Sequence, residues 1–154
     1  MKKQCLTVFC LILLAGTIFP QTKQKAPANK ALTGLEKILS GTDLPYEMKN
    51  DSLAVIPYKA DNIESYDVII QTVSELYIVY VDLSSTLPWK LTESHYKYLL
   101  QRNGYFDIVK IGLADDGTFY LRADVYKETV NSVFLKRIIS QVANVTNIIA
   151  GDLK

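Results

Sequence analysis

Residues 118–126 alternate between apolar and polar side chains. This alternation is typical of a β-strand that buries one face and leaves the other to water or to a partner. The apolar set, which we expect to face the core, is Phe119, Leu121, Ala123 and Val125. The opposite set is Tyr120, Arg122, Asp124 and Tyr126. A chain with such a strand is expected to build a sheet whose two faces differ.

Four further strands are predicted from β-rich runs bounded by turn signals. They lie at 53–58, 66–73, 75–83 and 107–113. The run 75–83 is apolar on both faces, with Leu76, Ile78 and Tyr80 on one side and Tyr77, Val79 and Val81 on the other. Such a run favours a central position in the sheet. The Asp-Gly pair in 114–117 predicts a hairpin between the last two strands.

Three helices are predicted, at 30–40, from Thr92 to Asn103, and at 129–149. In the second helix Tyr96, Leu99 and Leu100 are expected to face inward. The third carries the predicted inward stripe Val130, Val133, Phe134, Ile138, Val142, Val145, Ile148 and Ile149. The order α-βββ-α-ββ-α predicts an α+β domain, a five-stranded antiparallel sheet with helices packed on one face. Leu121 and Phe134 are the predicted core residues.

The N-terminus has the pattern of an export signal. Lys2 and Lys3 precede an uncharged run over 5–19, and this run is shorter than the ~20 apolar residues of a membrane-spanning helix. We predict a signal peptide at 1–21, cut between Gly16 and Thr22, a linker at 22–29 and a single domain at 30–154. The mature protein is therefore expected in the periplasm or outside the cell.

Removal of the signal also removes both cysteines, Cys5 and Cys10. The fold is then expected to rest on its hydrophobic core rather than on disulfides. Without Lys2 and Lys3 the chain has 15 basic and 16 acidic residues, a net charge near −1. This balance argues against a nucleic-acid partner.

No residue set has the pattern of a catalytic or metal site, and no cofactor is predicted. His95 is the sole histidine, and we interpret it as a solvated or capping residue. Asp115 and Asp116 are interpreted as turn residues. Asp61, Glu64 and Asp67 lack the order of ligands in a calcium loop.

Two segments match short glycosylation sequons, Asn50-Asp51-Ser52 and Asn144-Val145-Thr146. Such patterns occur often by chance, and Asn144 falls inside a predicted helix. The overlapping Asp51-Ser52-Leu53 resembles an aspartate-serine-apolar motif that carries O-linked sugars in one bacterial phylum. Whether Ser52 carries a sugar is left open by the sequence.

Tyrosine is abundant, with ten in the chain. The hypothetical binding surface is Tyr77, Tyr120, Arg122 and Tyr126, because tyrosine and arginine are enriched at interface hot spots. The alternative is structural, with these rings packed beneath a helix or paired across strands.

Several segments between residues 95 and 145 resemble the YbjN family. They are Leu99-Leu100-Gln101-Arg102-Asn103, Val109–Leu113, Asp115-Asp116-Gly117 and Phe119–Asp124, followed by a long amphipathic helix. YbjN proteins share the fold of the type III secretion chaperones, which are dimers that hold an extended segment of another protein. The resemblance implies a non-enzymatic module. This chain differs in being nearly neutral and in carrying an export signal.

The sequence thus predicts an exported, non-enzymatic protein-binding or adaptor module, whose partner is another protein or a second copy of itself. The alternatives are a small-ligand or lipid-binding domain and an uncharacterised enzyme.

Overall fold

The structure is a computed structural model that describes residues 34–88 and 90–154. The predicted signal peptide, the linker and the start of the first helix lie outside the described residues. The elements, in chain order, are α1 Gly34–Leu39, β1 Glu47–Asn50, β2 Leu53–Tyr58, β3 Tyr66–Val73, β4 Leu76–Asp82, α2 Leu83–Thr86, α3 Glu93–Arg102, a 3₁₀ turn Asn103–Tyr105, β5 Lys110–Leu113, β6 Phe119–Tyr126 and α4 Ser132–Asp152.

The strands form one antiparallel sheet in the order β1-β2-β3-β4-β6-β5. The α+β class is confirmed, but the sheet has six strands where five were predicted. The missed strand is β1, Glu47-Met48-Lys49-Asn50, which pairs with β2. The strand is only four residues long and Met48 is its one apolar residue, so its alternation is too short for a sequence pattern to indicate a strand.

One face of the sheet is covered by helices. Successive strands bury Ala54 and Ile56, then Val68 and Ile70, Val79 and Val81, and Leu121 and Ala123. The helix α4 lies against β3, β4 and β6, and the Tyr66 hydroxyl donates a hydrogen bond to the Ala143 carbonyl at 2.9 Å. Burial raises the pKa of Tyr66 to about 12. We call this side the covered face and the opposite side the open face.

The inward face of α4 differs from the prediction. The helix begins at Ser132, and the Asn131 side chain caps it by accepting a hydrogen bond from the Phe134 N–H at 2.9 Å. Leu135 is fully buried, whereas Phe134 is 37% exposed and Val133 79%. Phe134 is therefore wrong as a core prediction, while Leu121, which is fully buried, is confirmed.

Smaller differences from the predicted structure occur in α3, in α4 and in β5. In α3 Leu99 is buried as predicted, but Leu100 and Tyr96 are exposed, although the Tyr96 ring stacks on Phe119 at 4.6 Å. Ile148 of α4 is also exposed. The predicted strand 107–113 is shorter, since β5 begins only at Lys110.

The predicted hairpin between β5 and β6 is confirmed. Gly117 adopts a positive φ of 84°, and the Ala114 N–H donates to the Thr118 carbonyl at 2.9 Å. The Asp116 carboxylate accepts the Thr118 N–H at 2.9 Å, which lowers the pKa of Asp116. These contacts agree with the interpretation of the two aspartates as turn residues.

Candidate functional site

The open face brings together three of the four predicted surface residues. Tyr120, Arg122 and Tyr126 project from β6 on the side opposite the buried Phe119, Leu121, Ala123 and Val125. Tyr126 is 61% exposed. That this surface binds a partner stays a prediction.

Tyr77 lies on the other side of the sheet. It is only 4% exposed and pairs with the buried Val125, so it belongs to the covered face. The tyrosine of β4 that lies beside Arg122 on the open face is instead Tyr80, the direct cross-strand partner of Arg122. Burial, together with the charge of Asp82, raises the pKa of Tyr80.

Apolar side chains that the sequence did not single out form the centre of the open face. Val55 of β2 pairs with Ile69 of β3, and Ile69 pairs with Tyr80 of β4. Ile78 lies two residues before Tyr80 on the same strand and is also half-buried. The only available signal was the double apolar pattern of β4, which does not say which side the helices cover.

Tyr120 and Arg122 together separate two depressions of this face. One, of about 250 Å³, is lined by Ile78 and Tyr80 and edged by Gln71 and Asp82. The other, of about 400 Å³, is lined by Lys110 and Ile111 at the β5 edge. Tyr120 and Arg122 line both.

The Tyr120 ring lies on the backbone of the edge strand. Its partner across the sheet is Gly112, and a Cβ at that position would lie 2.4 Å from the ring carbon Cζ. Tyr120 therefore has a packing role in addition to any role in binding.

Two ion pairs flank the apolar centre. Arg122 Nε lies 2.6 Å from Asp124 Oδ1 on β6, and this hydrogen-bonded pair raises the pKa of the arginine. On β1, Lys49 Nζ lies 2.6 Å from Glu47 Oε1. Lys49 and Glu47 share a third depression, of about 220 Å³, with Val55. The open face thus has an apolar middle between charged margins.

The β5 edge of the sheet is closed by a side chain. The Asn103 amide donates to the Ile111 carbonyl at 2.9 Å and accepts the Ile111 N–H at 2.7 Å. Ala114 bonds inward to Thr118, so by the alternation of an antiparallel ladder Ile111 points outward. Asn103 therefore occupies the place of a further strand.

The β1 edge is protected differently. It is four residues long and carries the charged Glu47 and Lys49. Short, charged edge strands resist the addition of another strand. A partner that binds the sheet therefore has the open face, rather than an edge, as its larger available surface.

His95 has the capping role expected for it. Its Nδ1 accepts the Thr92 N–H at 3.1 Å at the start of α3. Within residues 34–88 and 90–154, no group of three or more His, Cys, Asp and Glu side chains could hold a metal ion. The same part of the chain contains no helix of the length and apolarity that a membrane span requires.

Comparisons with known proteins give a fold but no family. No protein-family model matches the chain, and no curated protein is significantly similar to it in sequence. Among solved structures, one chain of the heterodimeric complex ExoU–SpcU from the type III secretion system of Pseudomonas aeruginosa is similar. The TM-score is 0.53 at 18% identity, and the match covers 75% of this chain and 93% of that chain.

At that identity the likeness establishes a shared fold alone. It agrees with the secretion-chaperone fold that the sequence predicted. The membership of this chain in the YbjN family stays a prediction.

Proposed function

We propose that this chain is an exported, non-enzymatic protein-binding module and that its open face is the binding surface. The observation that carries the proposal is the half-buried apolar centre of that face, Val55, Ile69, Ile78 and Tyr80. No helix within residues 34–88 and 90–154 covers it. Polar margins around an apolar centre are the usual arrangement of a protein interface.

The structural neighbour supports the same class of function. It was solved as part of a heterodimeric complex, so a sheet of this fold can serve a protein that works in contact with another protein. Export rests on the N-terminal sequence, where two lysines precede an uncharged run.

The test is site-specific photocrosslinking in the native host. A benzoyl-phenylalanine at Tyr80 lies in the middle of the open face, and the same group at Val133 of α4 is the control, since Val133 is 79% exposed on the helical side. We expect a protein adduct from position 80 and little from position 133. Equal adducts from the two positions, or none from position 80, would make the proposal wrong.

Export is tested separately by N-terminal sequencing of the protein recovered from the periplasm or medium. We expect a terminus between positions 16 and 23, matching the predicted cut. A chain that keeps Met1 and stays in the membrane fraction would contradict export without bearing on the binding surface.

The ligand-binding alternative has a readout of its own. The two depressions that meet at Tyr120 and Arg122 have volumes of about 250 and 400 Å³, near the lower end of the range for small-molecule pockets. Native mass spectrometry of the exported protein distinguishes the two functions. A mass excess of a few hundred daltons would favour a small ligand, and an intact polypeptide mass would favour the protein partner.

A further inference from the structure

One row of side chains crosses the open face from edge to edge. Consecutive strand pairings align Glu47, Val55, Ile69, Tyr80, Arg122 and Lys110. Directly opposed residues of an antiparallel sheet share a face. The row is therefore acidic at the β1 edge, apolar in the middle and basic at the β5 edge.

Beside each charged end of this row lies a second side chain of the opposite charge. Lys49 follows Glu47 by two residues, and Asp124 follows Arg122 by two residues; each is bonded to its neighbour at 2.6 Å. Four successive antiparallel pairings lead across the sheet from β1 to β6. Because the strand direction reverses four times, β1 and β6 run in the same direction. Along that direction β1 presents acid then base, and β6 presents base then acid.

From this arrangement we propose that the open face docks a second copy of the chain, face to face, about a two-fold axis parallel to the strands. The inference rests on the proposed function, because it names the partner of the same surface. The rotation keeps the strand direction and exchanges the two edges. Glu47 and Lys49 then lie over Arg122 and Asp124 of the partner subunit, and the apolar middle of each row lies over its counterpart.

The size of the face suits a moderate self-association. With β1 over β6 of the partner subunit, the overlap spans five strands at a spacing of about 4.8 Å and central strands of seven or eight residues at about 3.4 Å, or roughly 19 by 25 Å. Two such faces bury about 950 Å² in total, within the range of weak, transient interfaces. The dimer is therefore expected to be weak and transient, forming at micromolar or higher concentrations.

The charge pattern also argues against other occupants of the face. A partner of one charge sign, such as a nucleic acid or an anionic lipid surface, would be attracted to Lys110 and Arg122 but repelled by Glu47 at the opposite margin. A second copy satisfies both margins at once. Two-fold interfaces have this self-complementary character.

The experiment uses two opposite charge reversals, Glu47→Arg and Arg122→Glu. In a homodimer of either variant, positions 47 and 122 of the two copies carry like charges. In a mixed dimer, each of these contacts pairs an acid with a base again. We expect each variant alone to associate at least tenfold more weakly than the parent, and the equimolar mixture to recover dimers. Sedimentation velocity over a micromolar concentration series measures both.

Lys136→Glu is the matched control. Lys136 on α4 faces Asp43 at 3.9 Å, far in the fold from the open face, so its reversal should leave self-association unchanged. Recovery in the mixture also excludes misfolding as the cause of the loss, because an unfolded variant cannot be rescued by its counterpart.

Three results would overturn the inference. They are a parent protein that is monomeric throughout the series, single variants that associate like the parent, and a mixture that recovers nothing. A monomeric parent would leave the proposed function intact if position 80 still crosslinks to a different protein. The absence of any adduct from position 80 would remove both.

Discussion

The strand β4 carries similar side chains on its two sides, yet the two sides have different roles. On the covered face Tyr77, Val79 and Val81 are buried beneath the helices. On the open face Leu76, Ile78 and Tyr80 are half-buried, and none of the helices in the described part of the chain lies above them. Apolar composition alone therefore does not decide what is core; the position of the covering helix does.

Residues on the two faces of the sheet are held in place by different contacts. A residue on the covered face is held by close packing, where lost volume leaves a cavity. A residue on the open face is held mainly by its strand neighbours, so a substitution there should change association more than folding.

The largest effect is expected from paired alanine substitutions at two tyrosines of β4. Tyr77→Ala should lower the free energy of unfolding by about 3 to 5 kcal/mol, the range for large aromatic core residues. Tyr80→Ala should lower it by about 1 kcal/mol, the scale of a strand-position effect. Urea denaturation measures both values in the same strand. Similar losses at the two positions would show that the open face is packed as tightly as the core.

A second pair tests the corrected inward face of α4. Leu135→Ala should cost about 2 to 5 kcal/mol because Leu135 is fully buried. Phe134→Ala should cost less than about 1 kcal/mol, since exposed substitutions have small effects. The measurement is again urea denaturation. A larger loss at Phe134 than at Leu135 would restore the face that the sequence pattern favoured.

The sequence indicated some parts of this structure well. The alternation in β6 placed Leu121 in the core correctly, since a period of two with polar partners allows one assignment only. The Asp-Gly hairpin was equally clear. In α4, however, Val133, Phe134 and Leu135 are consecutive and all apolar, so the helical period fits more than one face. The Asn131 cap and the sheet beneath decide which face turns inward.

The candidate site was predicted only in part for the same reason. β4 is apolar on both sides, so its pattern could not assign Tyr77 or Tyr80 to a face. The strand β1 was missed because it is only four residues long and Met48 is its one apolar residue. With it, the acidic margin at Glu47 was missed. The closure of β5 by Asn103 depends on a contact between residues eight positions apart, which no local pattern indicates.

A third prediction concerns the tight packing of Tyr120 against Gly112 on the open face. Gly112→Ala places a Cβ against the Tyr120 ring, so the ring must move and the cost should be roughly 1 kcal/mol, at the low end for overpacking. Gly104→Ala is the control, because nothing lies within 4 Å of its added carbon. Thermal unfolding of both variants is the measurement. Equal midpoints for the two would mean that Tyr120 moves freely off the edge strand.

The smallest effect is expected at the attachment of α3 to the end of α4. The Tyr98 hydroxyl and the Arg102 guanidinium both donate to Asp152 Oδ2, and Arg102 Cζ lies 5.1 Å from the centre of the Tyr98 ring. The Tyr98 hydrogen bond, followed by that of Arg102, lowers the pKa of Asp152. A lowered pKa means that the carboxylate form is favoured by folding.

The stabilisation from Asp152 is therefore present above its unfolded pKa, near 4, and is lost as the pH falls through the lower folded value. Because the Arg102 and Asp152 side chains are 33% and 31% exposed, water partly screens the pair and the global stability should change little. The effect should appear locally: as the pH falls, amide protection, measured relative to the intrinsic exchange rate at each pH, should decrease more in α3 than in β4. At neutral pH, Asp152→Asn should have lower amide protection in α3 than the parent. In acid, where Asp152 of the parent is protonated, the two proteins should have similar protection in α3. Asp124→Asn, which breaks the ion pair on the open face, should leave exchange in α3 unchanged. Equal exchange in α3 of Asp152→Asn and the parent at neutral pH would contradict this prediction. The helix would then be held by Leu99 and by the stack of Tyr96 on Phe119, with no contribution from the contacts of Tyr98 and Arg102 with Asp152.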